Sequence, residues 1–440
     1  MNSIKTLKLV MLIAFTFGLG NSAFSQDIHL QKAKAFSDAY FNQNFEKATE
    51  DFSPTILAQM PAEKLGMVAQ QLQMQVGKLK NRGDIWDKKE GDFTSTFEPL
   101  FFENATLDLK LAFDNENKIQ GLFFVPHTKK ELELVNNETF SEQEIEVKTG
   151  EFSLRGILSL PKKQSKVPVV ILVHGSGPND MDETIGQNTV FKDLAYGFAQ
   201  HGIATLRYDK RTKVYGSSPK LKLDELTLEE ETIEDALSAV ELAKSNQSID
   251  PNQVYVVGHS LGAMAAPKIA TSTDKVSGIV MLAGNARPLQ DLLVEQYEHI
   301  LGADGTIDEG EQIFVKDLKK QIANLEKLDD NEFTRQQLPL GLSSSYWKYL
   351  VKYDQVETAK KLKLPILILQ GERDYQVTME DYSIWKNQLQ DGENVKFKSY
   401  PKLNHLLMEG EGISYPEEYK IKGEVAQYVI DDISDWIINR

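Results

Sequence analysis

An open, mostly parallel α/β sheet with a helical insertion, preceded by a small α+β domain, is the fold that this sequence predicts. Three observations predict it. From Ser141 onward, short apolar runs bounded by turn residues alternate with helical patterns, the rhythm of strands linked by helices. Upstream, helical patterns come first and strand patterns follow, as in an α+β unit. And Gly258-His259-Ser260-Leu261-Gly262 lies between the apolar run Val254–Val257 and the helix opening Ala263–Ala266. That context reads as a strand, a sharp turn and a helix.

The elements follow in order. Residues 1–25 read as a secretory signal peptide: Lys5 and Lys8, an apolar run from Leu9 to Gly20, then small residues at Ala23 and Ser25 before Gln26. Export to the periplasm or the medium is expected, with no membrane span left after cleavage. Residues 27–130 form the small domain. Ala35, Phe36, Ala39, Tyr40 and Phe45 mark one helix within 28–45, and Ala62 to Lys80 a second. Strand patterns cover 94–102, 106–113 and 118–125, with a turn at Asp114-Asn115-Glu116-Asn117. No catalytic constellation appears in this domain, and polar residues 127–141 read as a linker.

The second domain spans 141–440. Its strand candidates are 145–148, 154–160, 167–173, 203–207, 254–257, 276–282, 365–369 and 395–400. Helices are expected over 188–201, 228–244, 260–271, 379–389 and 422–438. Residues 285–360 interrupt the alternation with a helical insertion, which is expected to lie over the strand ends that flank the serine turn. Within it, Gly302 to Glu309 hints at half a calcium loop. With Gly305 in the glycine position, Ile300 and Gly302 fall where ligands belong, so no metal is expected.

Composition narrows the function. Hydrophobic residues make up 41% and charged residues 26%, ordinary for a globular protein. The net charge of −16 argues against a nucleic-acid partner. The absence of cysteine excludes disulfides, a thiolate nucleophile and a lipid-modified N-terminal cysteine. No phosphate-binding glycine loop and no His-Glu-x-x-His is present, so no cofactor is expected.

What remains is serine chemistry. Gly258 and Gly262 leave room where strand and helix pass closely, and Ser260 between them reads as a nucleophile at a tight turn. A nucleophilic serine needs a base, and the base needs an orienting acid. Of the seven histidines, only His299 and His405 follow both the serine and room for an acid. His299 falls in a helical pattern, whereas His405 follows the last strand, and it is taken as the base. Asp374, in the loop after 365–369, is the acid, with Glu372 and Asp381 as rivals. The backbone N–H of Leu261 opens the following helix and points at the reacting carbonyl. The second donor is expected from His174-Gly175-Ser176-Gly177-Pro178, with the Ser176 N–H ahead of Gly177, and His174 is expected to hold that loop by hydrogen bonds. In the insertion, Tyr346 and Trp347 follow Ser343-Ser344-Ser345 and are candidates for an acyl-pocket wall.

These pieces resemble the α/β-hydrolase superfamily, with the nearest likeness to exported bacterial carboxylesterases and serine-aminopeptidase-like hydrolases that carry an N-terminal accessory domain. The likeness rests on His174-Gly175-Ser176-Gly177-Pro178, Arg207-Tyr208-Asp209-Lys210-Arg211, Gly258-His259-Ser260-Leu261-Gly262, Gly371-Glu372-Arg373-Asp374 and Asn404-His405. It implies an α/β-hydrolase fold and a serine esterase acting on a small-molecule ester. A peptidase or amidase of the same fold, or a binding protein on that fold, are the alternatives. One departure stands out. Such hydrolases often continue Asp-x-Arg with Gly-x-Gly-x-Ser, whereas here Arg211 is followed by Thr212-Lys213-Val214-Tyr215-Gly216-Ser217, a longer and less glycine-rich path.

Overall fold

The computed structural model describes residues 28–90, 93–127, 131–162, 166–216, 218, 220–389 and 394–440. The expected signal peptide lies outside the described residues. The chain divides into two compact units, one ending at Glu133 and one running from Leu134 to Arg440.

The first unit carries helices Ile28–Phe41, Phe45–Ala48, Pro54–Gln59 and Ala62–Val76. They are followed by a five-stranded antiparallel sheet of Leu79–Arg82, Trp86–Glu90, Phe93–Phe102, Thr106–Phe113 and Ile119–Pro126. Phe36, Tyr40, Leu65, Leu100, Leu111 and Phe113 close its core. The turn at 114–117 forms because Asp114 Oδ1 accepts from the Glu116 and Lys118 N–H groups while Asn117 takes a positive φ of 57°. The first two strands carry no sequence signal: Leu79-Lys80-Asn81-Arg82 and Trp86-Asp87-Lys88-Lys89-Glu90 are mostly polar, and only pairing along Phe93–Phe102 makes them strands.

The second unit is built on an eight-stranded sheet: β1 Phe140–Thr149, β2 Phe152–Pro161, β3 Val167–Val173, β4 Ala204–Tyr208, β5 Ile249–His259, β6 Gly278–Leu282, β7 Ile366–Gly371 and β8 Val395–Tyr400. Their spatial order is β8-β7-β6-β5-β3-β4-β2-β1. β1 and β2 are an antiparallel hairpin, β2 pairs antiparallel with β4, and the remaining neighbours are parallel. β3, β5, β6 and β7 are apolar runs rich in Val, Ile and Leu at their centres because both faces are covered. Helices Val190–Gln200 and Gln427–Ile438 pack one face. Glu234–Lys244, Leu261–Thr271, Met379–Leu389 and the insertion pack the other. The insertion, between β6 and β7, contains Leu289–Leu301, Glu309–Leu325, Ser344–Lys352 and Gln355–Ala359. The expected mostly parallel α/β sheet is borne out.

Boundaries moved where polar residues mask an element. β5 begins at Ile249 because Asp250-Pro251-Asn252-Gln253 continues the strand through a register irregularity. The helix expected from residue 228 opens with a π-helical turn, Glu229–Ile233. The segment after Arg211, where the sequence departs from the hydrolases that it resembles, starts as a short helix, Arg211–Tyr215. Among the described residues no helix is long and apolar enough to cross a membrane, and no cluster of three or more potential metal ligands occurs.

Candidate active site

Ser260 is the hinge between β5 and the helix Leu261–Thr271, with φ 53° and ψ −116°. That conformation is costly for a residue with a side chain and persists only when its surroundings impose it. They do so through hydrogen bonds from Ser260 N–H to the Leu282 carbonyl at 2.9 Å and from Met264 N–H to the Ser260 carbonyl at 3.0 Å. The glycines are obligatory. A β-carbon on Gly258 would fall 2.2 Å from the Gly262 carbonyl oxygen, and one on Gly262 would fall 2.0 Å from that of Val173.

Asp374 and His405 come together as a pair. Asp374 Oδ2 lies 2.7 Å from His405 Nδ1, and both residues are buried. The carboxylate is saturated. Its Oδ1 accepts from the Gln376 and Val377 N–H groups at 2.8 and 3.0 Å, and its Oδ2 also accepts from Gln370 Nε2 at 3.0 Å. The histidine loop is held by Asn404 Oδ1, which accepts from the Leu406 and Met408 N–H groups. That loop meets the serine turn: His259 Nε2 donates to the His405 carbonyl at 2.9 Å, and the two rings are 4.8 Å apart. Among the described residues, neither Ser260 Oγ nor His405 Nε2 makes a hydrogen bond to another protein group.

The rivals are occupied elsewhere. Glu372 is exposed and accepts from Ser399 Oγ. Asp381 grips Arg287 and the Ala286 N–H. His299 is stacked between Tyr375 and Tyr415, with Nε2 donating to the Ser414 carbonyl.

The loop after β3 runs beside the serine, since a β-carbon on Gly175 would sit 3.2 Å from Ser260 Cβ. The N–H groups of Ser176 and Leu261 have no acceptor among the described residues. These are the two N–H groups that the sequence nominates as oxyanion donors. His174 holds the loop as expected, through a hydrogen bond between its ring and the Asp180 backbone, and it packs against Phe191 and Tyr208. Its Nε2 has no partner among the described residues, and burial pulls its pKa down to about 4.

Two residues to which the sequence reading gave no role hold this loop. Glu183 Oε1 accepts from the Gly175 N–H at 2.6 Å, and its Oε2 lies 3.0 Å from His259 Nδ1, off hydrogen-bond alignment. Burial acts to lower the His259 pKa and to raise that of Glu183. Their mutual attraction overrides both, so the histidine moves up and the carboxylate down. Lys210 Nζ donates to the Gly175 carbonyl at 2.8 Å. The rest of Arg207-Tyr208-Asp209-Lys210-Arg211 is anchored as firmly. Arg207 bridges Asp182 and Glu142, Asp209 accepts from the Met181 N–H, and Arg211 pairs with Asp235. Burial pushes Asp209 up to about 6.

Tyr346 and Trp347 lie in the packed interior. Trp347 has no exposed surface and donates from Nε1 to the Pro339 carbonyl at 3.0 Å; the Tyr346 hydroxyl donates to Glu231. Ser343 caps the helix that carries them, accepting from the Tyr346 N–H at 3.1 Å, so what reads as a flexible serine run is a helix start. Tyr346 ties the insertion to Glu229–Ile233 and Trp347 fills the insertion's own interior, instead of presenting a free wall to an acyl chain. Trp347→Ala is therefore expected to destabilise the protein by about 3–5 kcal/mol, read as a lowered midpoint in denaturant unfolding. An unchanged midpoint would contradict this packing role.

The serine turn after β5, the acid after β7 and the histidine after β8 all sit at the carboxyl ends of their strands, the layout that defines an α/β hydrolase. Within that class the chain belongs to the family described as serine aminopeptidase, S33, whose model matches residues 164–411. The expected likeness is borne out. Residues 33–122 match a second model, described as a protein of unknown function, DUF3887. The chain is 39% identical over 413 residues to Esterase EstD of Thermotoga maritima, covering 93% of this chain and 95% of that one. Among solved structures it is similar to Est1E from Butyrivibrio proteoclasticus, with 17% identity and a TM-score of 0.43 over 68% of this chain and 99% of that one. It is also similar to the Pyrococcus furiosus esterase, with 16% identity and a TM-score of 0.41 over 69% and 96%.

Proposed function

We propose that this protein is a carboxylic ester hydrolase that cuts short-chain esters through an acyl-enzyme on Ser260. Ser260 Oγ attacks the ester carbonyl while His405 Nε2 takes its proton. Asp374 keeps the other imidazole proton on Nδ1 and steadies the imidazolium that forms. The N–H groups of Leu261 and Ser176 receive the oxyanion. Collapse expels the alcohol, which leaves with the proton from His405. Water then repeats the sequence on the acyl-enzyme, returning the acid and free Ser260.

The observation that carries this reading is the saturated Asp374–His405 pair, tied through His259 to a serine in strained geometry. The likeness to a curated esterase supports an ester as substrate. The family description favours a second reading, cleavage of an amide or peptide bond by the same residues. An ester is preferred because an alcohol is expelled more easily than an amine, whose departure depends more heavily on protonation. The test compares kcat/KM for p-nitrophenyl acetate, butyrate and octanoate with that for alanine p-nitroanilide. The expected result is a maximum at the short esters and little or no anilide cleavage. Anilide turnover matching or exceeding the esters would replace the first reading with the second.

A further inference from the structure

The Lys210 side chain is only 2% exposed, and a buried ammonium is expensive unless its partners compensate. Its nearest partner is a neutral one. Nζ lies 2.8 Å from the Gly175 carbonyl oxygen, against 3.4 Å from Glu231 Oε1. The Gly175 carbonyl and the Ser176 N–H are the two ends of one peptide group, and in a planar trans peptide they point in opposite directions. A cation gripping the oxygen therefore fixes the direction of the N–H. It also draws electron density toward the oxygen and strengthens the N–H as a donor, since linked hydrogen bonds polarise one another.

The neighbouring groups hold the same stretch of loop. Asn179 Nδ2 donates to the carbonyls of Gly175, Ser176 and Gly177 at 3.2, 3.1 and 3.4 Å, and on the preceding peptide the Gly175 N–H is spent on Glu183. The Ser176 N–H is thereby left as the unspent donor beside Ser260. Lys210 is itself held in place by Glu231, which also accepts from Thr212 Oγ1 at 3.0 Å and from the Tyr346 hydroxyl. Glu231 lies in the π-helical turn Glu229–Ile233, a local distortion often found at functional sites.

We propose that Lys210 is a positioning residue for ester cleavage, orienting and polarising the Gly175–Ser176 peptide so that the Ser176 N–H meets the developing oxyanion. The proposal rests on the reading of Ser260 as nucleophile and Ser176 as donor. It is tested in the full-length protein with Lys210→Met made in a Glu231→Gln background, so that no carboxylate is stranded, and compared with Glu231→Gln alone. Losing one oxyanion donor costs about 10²–10³ in kcat, so misaiming one should cost about 10–100-fold. KM should stay nearly constant, and the affinity for an alkylboronic acid, which mimics the tetrahedral intermediate, should fall in proportion to kcat. A purely structural role would not link those two losses.

A folded double variant with unchanged kcat, or one whose boronate affinity does not follow kcat, overturns the proposal. If the double variant does not fold, Lys210→Gln in the same Glu231→Gln background removes the charge while keeping a side chain that can still donate. A severalfold loss of kcat at constant KM is then expected, and an unchanged kcat overturns the proposal. Ser260→Ala run in parallel separates the two levels. Activity surviving there sinks the nucleophile itself, whereas an inactive Ser260→Ala beside a fully active Lys210 variant sinks only the positioning role.

Discussion

Ser260→Ala is expected to lower kcat on p-nitrophenyl butyrate by a factor on the order of 10⁶, the scale set by loss of a serine nucleophile in hydrolases of this logic. The effect should fall on chemistry and not on folding. Removing the hydroxyl leaves both backbone hydrogen bonds of residue 260 in place. Alanine retains the β-carbon that makes φ 53° costly, so the strain neither grows nor is relieved. An unaltered melting temperature together with lost turnover is the expected pair of results, and a fluorophosphonate should label the parent protein and not the variant. Turnover at the parent rate would remove Ser260 from the reaction.

Asp374→Asn carries the second-largest expected effect, a fall of about 10⁴ in kcat by analogy with other serine hydrolases. The geometry explains why so small a change matters. The amide oxygen can still accept from the Gln376 and Val377 N–H groups. Its NH₂ must then face both Gln370 Nε2 and His405 Nδ1, where a carboxylate oxygen now receives two donors. Facing a donor, the imidazole turns its lone pair toward residue 374 and carries its proton on Nε2, the wrong side to act as a base. Glu372→Gln is the control, because that side chain is exposed and bonded to Ser399. A large loss in Glu372→Gln beside a fully active Asp374→Asn would reassign the acid.

Much of this architecture was legible in the residues. β3 and β8 fall on the expected residues because their apolar content is continuous or strictly placed. Helix Met379–Leu389 does too. The serine turn was legible because its glycines answer a steric demand that few other residues can meet. Glu183 and Lys210 were not. Each is a charged residue in or beside a loop, without periodicity, and its role exists only through contacts made across the fold, to Gly175, His259 and Glu231. Tyr346 and Trp347 were misread for a related reason. Three serines before two aromatics look like a flexible loop reaching a pocket, whereas Ser343 starts a helix whose buried side meets the π-helical turn.

The order in which the ribosome makes this chain gives the helical insertion a further meaning. Ser260 emerges first, the whole insertion between β6 and β7 follows, and Asp374 and His405 arrive only near the end. The contacts tying the histidine loop to the serine turn span 146 positions along the chain. On the proposed chemistry, a nascent or truncated polypeptide that has already formed its serine turn carries no base and cannot acylate itself on stray esters. Recovery of esterase activity during refolding would accordingly report the completion of β7, β8 and their loops, and not the earlier formation of the central strands.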